Sequence, residues 1–210
     1  MPIRLAADLP ALFRIGRRPD PLDWPPVQFV GYGRYDDPEG IVSTLYAAVT
    51  RRTVFLETLD KFRVNPLLLA LLADEFGTDA SAISGDINAV ETTLGTIAPD
   101  YFNKLIVRFR IASGRRWLDV RAPETQEHLR RILAREIAVL GFGKRFVLGD
   151  LLAHEHAVTQ LIARWAIDNA FDGIAYSSCH DPSLTCWAIF EGTQLARLGE
   201  PEAIAKTDLD

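Results

Sequence analysis

A chain of 210 residues, 48% hydrophobic and 24% charged, has the size and composition of one globular domain with a substantial core. Its formal net charge of −5 excludes broad electrostatic binding along a nucleic-acid backbone. The richest apolar run, PLLLALLA at 66–73, is far too short to cross a bilayer, and two cysteines, Cys179 and Cys186, make no disulfide framework. The segment MPIRLAADLPALFRIG shows no secretory pattern, so a reduced, cytoplasmic setting away from membranes is the expectation.

Residues 1–29, broken by prolines in RRPDPLDWPP, predict an extended, loop-rich opening. VGYGRYDDPEG at 30–40 reads as a turn, and IVSTLYAAV at 41–49 as a short buried strand. RRTVFLETLDKF at 51–62 spaces Val54, Leu56, Leu59 and Phe62 roughly as a helix does, and PLLLALLADEFG predicts a second helix opening on Pro66. The small and polar residues of 77–100 specify a connecting region weakly. In NKLIVRFRIA, Leu105, Val107, Phe109 and Ile111 alternate with Lys104, Arg108 and Arg110, which predicts a strand with one wet face, continued by RRWLDV after Ser113-Gly114. Helices are expected over 122–143 and 148–173, then strands in GIAYSSC and TCWAIFEG. Helices and strands mix without regular βαβ alternation, so the expected class is α+β: one domain over 1–210 with a mixed β core flanked by helices.

Few residues invite a chemical reading. Arg34 and Tyr35 put a guanidinium beside an aromatic ring inside a glycine-rich turn, suited to a pyrophosphate; an exposed arginine beside a packing tyrosine is the plainer reading. Glu57 lies inside an apolar helical run, where a buried carboxylate needs a partner. Tyr46 suits a core strand, and Ser177 and Ser178 suit a turn cap as well as a ligand contact. His154 and His156, two apart on a helix, point to different faces and lack the spacing of a zinc helix. Cys179, His180 and Cys186 match no familiar zinc spacing, and GFGK at 141–144 reads as a helix C-cap rather than a phosphate loop.

Together, GRY, LYAAVTRRTVFLE and, far downstream, DGIAYSSCHDPSLTCWAIF resemble the RES domain, a family named for its Arg, Glu and Ser. The matching pattern is a Gly-Arg-aromatic turn, a strand tyrosine, a glutamate eleven residues later, and a late Gly-Ile-x-Tyr-x-Ser segment. The resemblance runs from about residue 12 to about 192, leaving a tail over 195–210, and the stretch 63–105 holds no motif that can be placed. It maps the family arginine to Arg34, its aromatic neighbour to Tyr35, the strand tyrosine to Tyr46, the glutamate to Glu57 and the serine to Ser178, with Ser177 as the fallback. Cys179 stands where an arginine often follows that serine.

The resemblance implies a core like that of the ADP-ribosyltransferase toxins and an enzyme that consumes NAD as substrate, with no further cofactor. It also implies an antitoxin protein as partner. Arg34 would grip the pyrophosphate, Tyr35 or Tyr46 would cover the ribose or nicotinamide ring, and Ser178 would bond the ribose or amide. Cleaving the nicotinamide–ribose bond builds an oxocarbenium-like charge, which Glu57 would stabilise. Nicotinamide leaves readily, so neither a metal nor a second acid is called for. The expected activity is an NAD glycohydrolase or phosphorylase; transfer of ADP-ribose to a protein and a non-catalytic interaction module are the alternatives. Water, phosphate or protein as acceptor, and a single chain or a homo-oligomer, are equally compatible with the residues.

Overall fold

The segments that combine β-branched, aliphatic and aromatic residues pair into one mixed sheet in a computed structural model, which describes residues 3–6, 11–59, 62, 97–141, 156–205 and 208. Its strands are β1 (Leu12–Gly16), β2 (Thr44–Ala48), β3 (Leu105–Ile111), β4 (Trp117–Asp119), β5 (Gly173–Ser177), β6 (Thr185–Phe190), β7 (Leu195–Arg197) and β8 (Glu202–Ala203). They lie in the order β4-β5-β6-β2-β1-β3-β7, with β8 also on β3. Only β4 and β5 run parallel; the remaining pairs are antiparallel. Among the described residues there are four α-helices, α1 (Arg51–Leu59), α2 (Pro123–Ile132), α3 (Ala134–Val139) and α4 (Ala157–Asp168), and two short 3-10 turns at Val27–Phe29 and Pro99–Asn103. The class is α+β, as expected. Among these residues no helix is long and apolar enough to cross a membrane.

Alternation along the strands gives the sheet two apolar faces. One buries Ile15, Ala48, Ile106, Ile174, Tyr176, Cys186 and Ala188 beneath Val54 and Phe55 of α1, Leu129 of α2, Ile137 of α3 and Ile162 and Ala166 of α4. The other buries Leu12, Leu45, Phe109, Trp117, Trp187 and Ile189, with Ala6, Leu22 and Trp24 of the N-terminal segment packed on it. That covering segment is where the sequence reading fails most. The opening is not loop-rich throughout, because Leu12–Gly16 forms a strand between β2 and β3.

Smaller departures have equally local causes. In β3, Arg108 and Arg110 are exposed as the alternation requires, but Ile106 is buried, so helices cover that face at the strand's first half. Trp117–Asp119 does rejoin the sheet, at the far edge beside β5 instead of next to β3. The helix expected over 122–143 is broken at Leu133, whose φ of −102° and ψ of 14° leave the helical region; Pro123 does open it, and Gly141 (φ 83°) follows its second half. The tail beyond residue 194 adds β7 and β8 at the sheet edge. The helix expected from Pro66, most of 77–100, residues 142–144 of GFGK, and His154 lie outside the described residues.

Candidate active site

Both β2 and β5 are antiparallel to β6, so they run in the same direction, and the register sets Tyr46 opposite Ala188 and Tyr176 opposite Cys186 on the helix-covered face. Just past β2, Thr50 accepts a hydrogen bond from Thr53 N–H at 3.1 Å and caps α1. That helix carries Glu57 back over the sheet. Just past β5, the chain turns through Ser178, Cys179 and His180. The Ser178 hydroxyl donates to Glu57 Oε1 at 2.5 Å, and His180 N–H donates to Ser178 Oγ at 3.1 Å. Ser177 points elsewhere, donating to the Pro182 carbonyl at 3.0 Å. Of the two serines, Ser178 is therefore the one that meets the glutamate.

The Gly31–Asp37 turn is built just as specifically. Tyr46 Oη donates to Asp36 Oδ1 at 2.6 Å and accepts from Tyr35 N–H at 2.9 Å. The second Asp36 oxygen accepts from Gly31 and Gly33 N–H at 3.1 and 2.8 Å. Gln160 of α4 donates to the carbonyls of Gly31 and Gly33 at 2.8 and 3.0 Å. Backbone approaches side chain so closely that a Cβ on Gly33 would lie 2.4 Å from Tyr46 Oη. This is why glycine precedes the arginine.

The turn aims Arg34 inward. Its guanidinium sits 5.8 Å from the centroid of the Tyr176 ring, and the Cys179 side chain lies near enough to favour its charge. Its Nη1 is buried without a hydrogen-bond partner among the described residues. Such a donor is costly to leave unsatisfied and is matched to an anionic acceptor. Burial alone would lower the Arg34 pKa, but Cys179, Tyr176 and Tyr35 outweigh it and the net shift is upward, so the group keeps its charge. The Tyr176 hydroxyl is pushed well up, first by burial, then by Cys186 and Glu57, with Arg34 opposing. Burial and Glu57 likewise push the Cys186 thiol up, which keeps it protonated and inert.

The structure thus brings Arg34, Tyr46, Glu57 and Ser178 to one face through shared neighbours. Their burial differs from residue to residue. Tyr35 is 0% exposed, with its ring 4.8 Å from that of Tyr176, so it packs in the core and does not present a face to a ligand. Ser178, also 0% exposed, donates its hydroxyl hydrogen to Glu57. Tyr46, half-buried, is the ring left at the site. Asp36 and Gln160 went unremarked in the sequence: Asp36 follows the motif directly, but Gln160 meets the turn only through the tertiary fold. Glu57, Cys179 and His180 also offer ligand atoms within 4.8 Å of one another, a convergence hidden by the 121 positions between Glu57 and Ser178. A separate cleft of about 600 Å³ is lined by Arg14, Arg17, Trp24, Phe29 and Lys104; none of the motif residues line it.

A solved structure with this fold is a chain in the crystal structure of the M. tuberculosis MbcT–MbcA toxin–antitoxin complex. It shares 12% sequence identity with a TM-score of 0.54, covering 93% of this chain and 84% of that one. No curated protein matches the chain in sequence. The family model of the RES domain matches residues 11–209. With nearly the whole chain matched and the Arg, Glu and Ser of the motif gathered on one face, the protein belongs to the RES domain family.

Proposed function

We propose that this protein is an NAD-consuming enzyme that cleaves the nicotinamide–ribose bond, and that it acts as the toxin of a toxin–antitoxin pair. The observation that carries the reading is a cation and an anion gathered around the same buried neighbours, Tyr176 and Cys186. Arg34 contributes a buried Nη1 without a hydrogen-bond partner among the described residues, and Glu57 accepts a hydrogen bond from Ser178. A dinucleotide presents the matching charges, a permanent pyrophosphate anion and a ribose that turns cationic only as its bond breaks. RES family membership and a fold shared with a chain of a toxin–antitoxin complex support the biological role.

In this mechanism the C1′–N bond breaks and its electron pair leaves with nicotinamide, which departs neutral. Glu57 faces the developing oxocarbenium charge, while Ser178 keeps the carboxylate from rotating away. An oxygen of water or phosphate then attacks C1′ and releases its proton to solvent. Arg34 binds the pyrophosphate throughout, and the Tyr46 ring covers the sugar or the departing base. Charge stabilisation by a carboxylate requires no Lewis acid, so the reaction needs no metal.

Incubating the purified chain with NAD, with and without phosphate, tests this directly by mass spectrometry of the products. Nicotinamide with ADP-ribose would mark a hydrolase, and nicotinamide with a phosphorylated ADP-ribose a phosphorylase. ADP-ribose found attached to added protein would mark a transferase. Intact NAD in both arms would overturn the reading. In cells, expressing the chain without an antitoxin should lower NAD and slow growth.

A further inference from the structure

Cys179 gives this site a donor that NAD cleavage does not use. It stands between Ser178 and His180 in the turn after β5, close to the Glu57 carboxylate. The thiol, an imidazole nitrogen of His180 and a Glu57 oxygen lie within 4.8 Å of one another, all half-buried. A tetrahedral zinc ion with bonds of about 2.0–2.3 Å holds its donors roughly 3.3–3.8 Å apart. Small side-chain rotations close the difference. The donors also come from two separate elements, so the helix and the turn, not one flexible loop, define the geometry.

We propose that Glu57, Cys179 and His180 form a zinc-binding site that shuts the enzyme off reversibly. The donor set of thiolate, imidazole and carboxylate suits zinc and disfavours magnesium and calcium, which take oxygen ligands. Two anionic ligands balance the dication, so the Arg34 guanidinium faces a neutral cluster. The thiol proton passes to solvent as the metal binds. Ser178 supplies the outer layer for the carboxylate, holding it by its hydroxyl while its oxygen accepts from the backbone N–H of His180. A fourth position stays open to water. Inhibition follows because the carboxylate that should face the ribose cation is committed to the metal instead; that consequence rests on the functional reading above, whereas the binding does not.

The test uses the full chain, metal-stripped, titrated with cobalt(II) and separately with zinc. One equivalent of cobalt should produce the intense near-ultraviolet band of a cobalt–thiolate bond, and one equivalent of zinc should remove it. Zinc should suppress NAD turnover at least about 10-fold, and chelator should restore it. Losing an outer-layer partner already costs about 10–100-fold in metal affinity. Cys179→Ala should therefore abolish the thiolate band and raise the half-inhibiting zinc concentration by at least about 10-fold, measured against its own metal-free rate. His180→Ala should raise it similarly while leaving the thiol in place. Absence of the thiolate band in the folded protein, or zinc binding unchanged by both substitutions, would overturn the site. Zinc binding without any loss of turnover would overturn the switch. A metal-free chain that leaves NAD intact would sink the functional reading alone, and the cobalt spectrum would still decide the metal site.

Discussion

At the scale of single residues, the proposed site separates a charge that is always needed from one needed only at the transition state. The pyrophosphate is anionic in substrate and transition state alike, so Arg34→Ala should weaken NAD binding itself. A charge-assisted hydrogen bond contributes about 1.5–3 kcal/mol, which corresponds to roughly a 10- to 100-fold rise in Kd. Glu57→Gln keeps the shape of the side chain and an oxygen to accept from Ser178, but removes the negative charge. Turnover should fall at least about 10²-fold while Kd hardly moves, because the ribose carries little charge before the bond loosens. Equilibrium NAD titrations and single-turnover rates on the two variants check both halves. Near-native turnover in Glu57→Gln would remove the carboxylate from the mechanism.

Among elements, the Gly31–Asp37 turn depends on contacts from β2 and α4 as well as on its own Gly33 and Asp36. Tyr46 and Asp36 hold it from one side and Gln160 from the other. Gly33→Ala would place a methyl group 2.4 Å from Tyr46 Oη and 2.6 Å from Asp36 Oδ1, atoms bonded to each other, so relief means breaking that bond. Binding of NAD should drop at least about 10-fold with the fold intact, read by isothermal titration and circular dichroism. Much of this element structure was legible. Strands with alternating or continuous apolar patterns, such as those around Val107 and Ile189, declared themselves, as did the helix that Pro123 opens. β1 was not legible, because LFRIG is short, ends on glycine and runs into prolines, and its strand state comes from five paired positions on β3. The motif residues were readable as a set, but the full burial of Tyr35 and Ser178 and the bond from Ser178 to Glu57 were not. Burial and the Glu57 partner are products of packing, which one-dimensional spacing cannot reveal.

For the molecule as a whole, stability runs through a few ties between distant parts of the chain. Removing the side chain of Leu12, 0% exposed on β1, should cost roughly 2–5 kcal/mol, because it opens a cavity where the N-terminal cover meets the sheet. Chemical denaturation of Leu12→Ala reads this as a lower midpoint at unchanged slope. The polar tie is Asp37, 0% exposed, which accepts from the N–H groups of Glu39, Ile41 and Val42 at 3.1, 3.1 and 3.0 Å and pairs with Arg164 of α4 at 3.1 Å. Burial pushes the Asp37 pKa up, but those backbone donors and Arg164 together pull it further down, to a net value below the ordinary 3.8. A carboxyl whose folded pKa is depressed binds its proton more readily in the unfolded chain. Its stabilisation is therefore complete above the unfolded value and disappears as pH falls through the lower folded one. Asp37→Ala should cost roughly 2–4 kcal/mol near neutrality, since three backbone donors lose their acceptor and Arg164, still paired with Asp168, loses one of its anionic partners. The gap between wild type and variant should then stay constant from pH 7 to about pH 5 and narrow only below about pH 4. Denaturant midpoints of both proteins across that range provide the check. A gap that widens on acidification would mean that Asp37 is held protonated in the native state, and that the link between the turn and α4 is not an ion pair.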